Sequence, residues 1–439
     1  MPRPLRILLA LLLLSATAVL LIRATLPLTV PRLPGVVQQR LPSEVWALVS
    51  TPLPTALPAP EVMPITTAVS LIPTYTPTPP PANSPPPVEP ETETETAIFT
   101  PSPTPSPTAT PSPTPPLPSA VRLEGVAIVP QKFNNCGAAN LSIVLNYFGH
   151  DADQLAIASV VRPTYEDRNV SPHELQAYVN EQTPLRAALV YAADMTLLKQ
   201  LVSAGYPVII EAGLIPSEWE GWMGHYLTIT GYADKTQTFI GMDTFLGPWD
   251  SSGRAEDYAE LAELWHQFNN TLLVVYPPEQ EEAVRAILGG AHTEPLQMWR
   301  RSAEKAQTAV TATPTDAFAW FNLGSSLTQL GHLTGEQVYY ENAAMAFDQA
   351  RTIGLPWRML WYQFDLYEAY LANGRYQDVL TLTDAILNSG GQFVEETFLY
   401  QGHAWLALGD ETRARAAYEQ AILLQPNNQE IAKAASLLK

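Results

Sequence analysis

Apolar and polar positions divide the chain into regimes. Residues 7–22 are apolar almost throughout, broken only by Ser15 and Thr17. Residues 51–118 lose periodicity and fill with Pro, Thr, Ser and Ala. From 121 to 280, alternating runs mix with helix-periodic ones; beyond 281 alternation vanishes and Ala-rich helical periodicity takes over. Each pattern predicts its own structure, because side chains recur at about 3.6 residues in a helix and 2 in a strand.

Within 121–280, residues 126–129 predict a short strand. Ala139, Ile143 and the Leu145-Asn146-Tyr147 run recur at three- and four-residue steps, predicting a helix that starts near Cys136 and stops at Gly149. A second helix is predicted over 151–161. Ser171-Pro172-His173-Glu174 is a capping box with proline at the first helical position, opening a helix to about Gln182. Strands are predicted at 186–190, 207–211 and 271–276, with a helix capped by Asp194 running to Ala204. Two alternating runs, 225–232 and 236–243, flank Ala233-Asp234-Lys235 and predict an antiparallel hairpin. Helices gather first and strands last, which predicts an α+β domain.

The flanks follow from composition. Arg3 and Arg6 precede the apolar run and Arg23 follows it, the pattern of an export segment over residues 1–23. It reads either as a cleaved signal peptide or as an uncleaved anchor; continuation past Ala16-Thr17-Ala18 favours the anchor. Residues 24–118 are expected to be a Pro/Thr/Ser-rich disordered linker, since such a sequence buries too little apolar surface to fold. It suits an envelope spacer, and its Thr and Ser permit O-glycosylation. The protein is therefore expected at the cell membrane or outside the cytoplasm, meeting the membrane through its N-terminal segment. The net charge of −19 speaks against a nucleic-acid partner. No phosphate-cradling glycine loop, His-Glu-x-x-His or paired-cysteine metal motif occurs, so no cofactor is expected.

Residues 296–439 carry a repeat. Phe398, Gly402, Trp405, Gly409, Ala414, Tyr418, Ala421 and Pro426 resemble a tetratricopeptide repeat, whose period is about 34 residues. Trp320, Leu323, Gly324, Gly331, Ala343, Phe347 and Ala350 form an earlier unit, with Leu366, Tyr370, Gly374 and Ile386 marking a degenerate one between. The resemblance implies an all-α solenoid that binds a protein partner or substrate on its surface.

The candidate chemistry centres on Cys136, the one cysteine of the chain. A thiol in the first helical turn faces unpaired backbone N–H groups and the positive end of the helix dipole, and both favour thiolate. Gln131, one short loop upstream, is placed to donate to an oxyanion. Of seven histidines, His225 opens the first hairpin strand and Asp243 ends the second, so hairpin pairing brings them together. Asp250 is the reserve orienter. Trp219 and Trp222 either line a cleft or pack.

The run Gln131-Lys132-Phe133-Asn134-Asn135-Cys136-Gly137-Ala138-Ala139-Asn140-Leu141, then Gly224-His225-Tyr226 with Ile229, Gly231 and Tyr232, then Asp243, resembles the C39-like cysteine peptidases, which are papain-like in fold. The resemblance covers residues 121–280. It implies Cys136 as nucleophile, His225 as general base and then acid, Asp243 as orienter and Gln131 as oxyanion donor. Gln131 precedes Cys136 by five residues, where papain-like enzymes often have six. The expected activity is hydrolysis of a peptide bond in a peptide or protein. Acyl transfer to an amine, and a non-catalytic peptide-binding adaptor, remain open alternatives.

Overall fold

The computed structural model describes residues 116–216 and 220–438, with positions 17, 20, 21, 24–26, 29, 30, 41, 45, 56–60 and 70–73 before them. A sheet-containing domain comes first and an all-helical region follows.

The sheet is antiparallel, in the order β2 (Arg186–Val190), β7 (Leu272–Tyr276), β3 (Val208–Leu214), β4 (Met223–Ala233), β5 (Thr238–Met242), β6 (Arg254–Asp257), and β1 (Ala120–Arg122) pairs β4 off this path. β3 shows why its sequence is continuously apolar. Ile209 faces α1 (Cys136–Tyr147), α2 (Gln154–Val161) and α3 (Pro172–Gln182) through Leu141, Ile157 and Leu175. Val208 and Ile210 face α4 (Met195–Ser203) and α5 (Tyr258–His266) through Leu198, Leu201 and Trp265. Alternate side chains of a strand point to opposite faces, so a strand covered on both needs apolar residues at every position.

The expected helices form, and their caps explain where they begin. Asp153 accepts from Leu155 and Ala156 N–H at 2.8 and 3.2 Å, Asp194 accepts from Leu197 N–H at 2.9 Å, and the Ser171–Glu174 capping box is present. Residues 126–129 are not a strand. Val126 instead packs with Ile143 and Met242, and Ile128 N–H donates to the Ser251 hydroxyl at 3.0 Å, so the segment gains no ladder partner. β3 runs on to Leu214, beyond the expected end, and β6 and α5 carried no assignment from the sequence.

The helical region comprises α6 (Glu281–Leu288), α7 (Gly290–Thr293), α8 (Pro295–Ala312), α9 (Ala317–Thr334), α10 (Gln337–Ile353), α11 (Asp365–Ala372), α12 (Tyr376–Asn388), α13 (Glu395–Ala407), α14 (Glu411–Leu424) and α15 (Gln429–Ser436). Small residues set the spacing of its paired helices. A Cβ on Gly324 would lie 2.7 Å from the Phe347 ring, and one on Gly402 would lie 2.4 Å from Tyr418.

This region grips the sheet domain at several places. His266 Nε2 lies 2.9 Å from Asp316 Oδ2, and Asn322 Nδ2 donates to His266 O at 2.8 Å. At the far end, Gln425 Nε2 donates to Val161 O at 2.9 Å and the Thr164 hydroxyl to Leu424 O at 2.8 Å.

Two short stretches of the expected linker also dock here. Leu57 and Leu71 are buried in the helical core; Leu57 N–H donates to Leu355 O at 3.0 Å and Asn342 Nδ2 to Leu71 O at 2.7 Å. Leu57, Leu71 and Ile72 interrupt the Pro/Thr pattern with apolar side chains, and burying Leu57 and Leu71 fastens these two stretches to the helical region. Apart from these stretches and positions 116–118, residues 51–118 lie outside the described residues. So does the apolar run 7–22, except positions 17, 20 and 21. Among the described residues, no helix is long and apolar enough to cross a membrane.

Candidate active site

Cys136 is the first residue of α1, after an N-cap Asn135 whose side chain makes no capping bond. That side chain turns elsewhere: Asn135 Nδ2 donates to Gln154 Oε1 at 2.8 Å. Gln154 also takes Lys132 N–H at 2.8 Å and donates to Pro130 O at 2.9 Å, fixing the loop that delivers the thiol. The helix N-terminus is thus left to the half-buried sulfur.

α1 is fastened to β4 by Asn140, which is fully buried. Its Nδ2 donates to Tyr226 O at 2.8 Å and to Cys136 O at 3.0 Å, and its Oδ1 accepts from the Thr228 hydroxyl at 2.6 Å. Gly137 allows the close approach, since a Cβ there would lie 3.3 Å from the Tyr226 ring.

His225, on β4 opposite Ala212 of β3, meets Cys136 and Asp243 together. The β4–β5 ladder pairs Thr228 with Met242, so Asp243 continues past its end on a diagonal to His225. His225 Nε2 lies 3.1 Å from Asp243 Oδ1. Nδ1 is the ring nitrogen left for the sulfur, and the ring and the sulfur act on each other electrostatically.

The electrostatics follow from this placement. Burial disfavours a charged His225, but the charge and hydrogen bond of Asp243, then the influence of the Cys136 sulfur, outweigh it and push the imidazolium up to about 10. Burial raises the Cys136 thiol, yet the neighbouring His225, with the N–H groups of Tyr226 and Gly137, brings it below its ordinary value. Burial likewise opposes the Asp243 carboxylate; His225 and the N–H groups of Leu246 and Phe245 hold it below the usual range. Together these gather a thiol, an imidazole and a carboxylate whose mutual interactions each favour the charged form.

Gln131 is tied to the residue after Asp243. Gln131 N–H donates to Thr244 O at 2.9 Å, and the Thr244 hydroxyl donates to Gln131 Oε1 at 2.8 Å, a bond that does not use the amide's donor end. Asp250 lies apart, accepting from Ser252 N–H at 2.9 Å. Trp222 packs, stacking on Phe268 at 5.6 Å and meeting Tyr362 edge-on at 5.8 Å, with its Nε1 donating to Gln267 Oε1 at 2.7 Å. Trp219 lies outside the described residues.

The pocket at the sulfur has contributors that sequence reasoning missed. It is only about 10 Å³ and is lined by Cys136, Arg168, Glu211 and Tyr226 together with Tyr362 of the helical region. A Cβ on Gly224, beside His225, would lie 2.7 Å from Phe268 and 3.0 Å from Tyr362. The contact spans more than a hundred positions of sequence, and periodicity carries no signal for it. Glu211 reads from sequence as part of a buried strand, and a charge inside such a run was the one available hint. Away from the sulfur, one oxygen each of Glu174, Glu395 and Glu396 lie within 4.8 Å of one another, an all-oxygen set suited to a hard cation.

Residues 123–273 match the Peptidase_C39 like family. This segment of the chain is thus a C39-like domain, and the helical region lies outside the match. The chain is also similar to a solved C39-like structure from Bacillus anthracis, at 17% identity and a TM-score of 0.30, over 36% of this chain and 97% of that one. No curated protein matches it.

Proposed function

We propose that the chain is a cysteine peptidase, exported or tethered to the membrane, that hydrolyses peptide bonds with Cys136, His225 and Asp243 while its helical repeats hold substrate or a partner protein. The observation that carries this reading is the 3.1 Å His225–Asp243 contact, with the same ring acting on the Cys136 sulfur at the start of α1.

In the proposed cycle the Cys136 thiolate adds to the scissile carbonyl. The oxyanion takes hydrogen bonds from the Gln131 side chain and backbone N–H at the start of α1. His225 gives its proton to the departing amine, leaving a thioester on Cys136. Neutral His225 then takes a proton from water, whose oxygen adds to the thioester. Collapse releases the acid and expels the Cys136 thiolate, while His225 keeps the proton taken from water, which restores the ion pair. Asp243 holds the ring throughout and supports its charged form.

The near-closed pocket favours a second reading, a peptide-binding adaptor in which the helical region keeps the sulfur covered. One experiment separates the two. Full-length protein is incubated with a peptide library, and Cys136 alkylation by iodoacetamide is followed against pH. Cleavage that disappears in Cys136→Ala, with alkylation persisting below the pH at which a free thiol reacts, supports the peptidase. No cleavage and free-thiol alkylation behaviour would leave the adaptor. Export is tested separately by fractionating cells and sequencing the mature N-terminus.

A further inference from the structure

Beside the sulfur pocket lies a larger cavity of about 180 Å³ between the sheet domain and the helical region. Glu211 and Tyr362 line both spaces, so the cavity adjoins the thiol. Its wall carries four more carboxylates, Asp365, Glu368, Glu396 and Glu430, all from the helical region. We propose that this cavity is a substrate subsite for a cationic group, a lysine or arginine side chain or a peptide's free α-ammonium, beside the scissile bond; the proposal rests on the peptidase reading for its place next to the bond.

An acid-rich wall alone carries little, because exposed carboxylates are commonly solvated. Here Glu211 and Glu396 are buried, Asp365 and Glu368 half-buried and Glu430 exposed, and their internal partners are unevenly shared. Gln329 Nε2 donates to Asp365 at 2.8 Å. The Tyr400 hydroxyl donates to Glu368 at 2.6 Å, and His332 pairs with the same carboxylate.

Glu396 is different. It is only 8% exposed and lines the cavity, and its Oε2 has no hydrogen-bond partner. The leading charges acting on it, Glu174 and Asp167, are of like sign. The charge acting on Glu211 is Cys136, also of like sign. A buried carboxylate without a partner forfeits hydration and gains nothing in return. An incoming ammonium or guanidinium supplies the missing counter-charge and releases the proton that burial and the neighbouring acids hold on Glu396. Trp299 and Tyr362 add aromatic surface that attracts the same cations. Water occupies about 30 Å³ per molecule, so the cavity has room for the end of an arginine chain.

The test uses full-length Cys136→Ser, which binds without turnover, and fluorescent peptides matched except for arginine or citrulline, each with a free or an acetylated N-terminus. The arginine or free-amine peptide is expected to bind at least about ten-fold more tightly than its neutral match. Glu396→Gln and Glu430→Gln should each narrow that ratio while leaving affinity for the neutral peptide unchanged. If acetylation abolishes the preference, the site takes an α-ammonium; if citrulline does, it takes a side chain.

Equal affinities, or a preference untouched by both substitutions, overturn the proposal. So does a preference erased by calcium ions, which would give Glu396 to a metal shared with Glu174 and Glu395. Cleavage by the wild-type chain is scored separately. Charge preference without cleavage keeps the subsite and removes the peptidase; cleavage without preference does the reverse.

Discussion

Asp243 Oδ1, which lies 3.1 Å from His225 Nε2, also accepts the backbone N–H groups of Phe245 and Leu246 at 2.8 Å each. Three donors on one oxygen fix the carboxylate before substrate arrives, so the ring it holds is fixed too. In Asp243→Asn the geometry persists but the charge is gone. His225 should then lose its proton well below its present value of about 10, and the alkaline limb of kcat/KM should move to lower pH. The rate should fall on the order of 10²–10⁴-fold. A pH–rate profile checks both; an unshifted alkaline limb would deny Asp243 its orienting role.

In the proposed cycle Gln131 acts later than Cys136 and His225, when the oxyanion forms. Its substitution should leave the thiolate intact while removing a donor to the oxyanion. Gln131→Ala is expected to lower kcat by ~10²–10³-fold. Iodoacetamide alkylation of Cys136, which develops no oxyanion, should continue at the wild-type rate. Equal losses in both assays would place Gln131 in the scaffold of the Cys136 loop.

Asn140 is where the site and the fold share one side chain. Leucine there would leave Tyr226 O without that buried donor and Thr228 without its acceptor at 2.6 Å. Each unsatisfied group costs about 1–3 kcal/mol. Asn140→Leu should therefore destabilise the sheet domain by roughly 2–4 kcal/mol. Chemical denaturation followed by near-ultraviolet circular dichroism measures it, and activity should fall as α1 loosens from β4.

These three positions also mark what sequence can reveal. The meeting of His225 and Asp243 was legible because a hairpin returns one strand beside the other, although β4 begins two residues before His225 and β5 ends one residue before Asp243, and Cys136 stands at a helix start as its pattern predicted. The sheet domain was likewise legible, through periodicity, the Asp194 cap and the Ser171–Glu174 box. Val126–Val129 misled because a short apolar run does not say which backbone is available to pair, and of these four only Val126 is buried. Asn140 stood in the recognised run without a role, since its partners lie on another element. The convergence of Tyr362 and Glu211 was invisible, because contacts between distant segments leave no period.

Gly224 tests whether the helical region shapes the site. A Cβ there has no room between Phe268 Cζ at 2.7 Å and Tyr362 Cδ1 at 3.0 Å. Gly224→Ala should push Tyr362 out of the sulfur pocket and displace the adjoining His225, lowering kcat more than it lowers stability. Pairing it with Phe268→Leu should recover part of the rate. No recovery would mean that the backbone of β4, and not the ring contact, carries the effect.

The carboxylates between the two regions make stability depend on pH. Burial raises Asp167 and Glu174 to about 7 each. Burial, with neighbouring acids, holds Glu395 and Glu396 well above the carboxylate range. Each binds its proton more tightly folded than unfolded, so the folded state holds more protons between the unfolded values near 4 and the folded ones. Stability must then fall as pH rises through that window. The contribution is fully present below the unfolded values and is gone once pH passes the folded ones. Tm should be higher at pH 5 than at pH 8, before other ionisations are counted. Glu396→Gln keeps the shape and removes one titrating group together with its repulsion of Glu395. It should raise Tm at pH 8, leave it nearly unchanged at pH 5, and so flatten the slope; a slope as steep as wild type would mean these acids are solvated and the two regions part there.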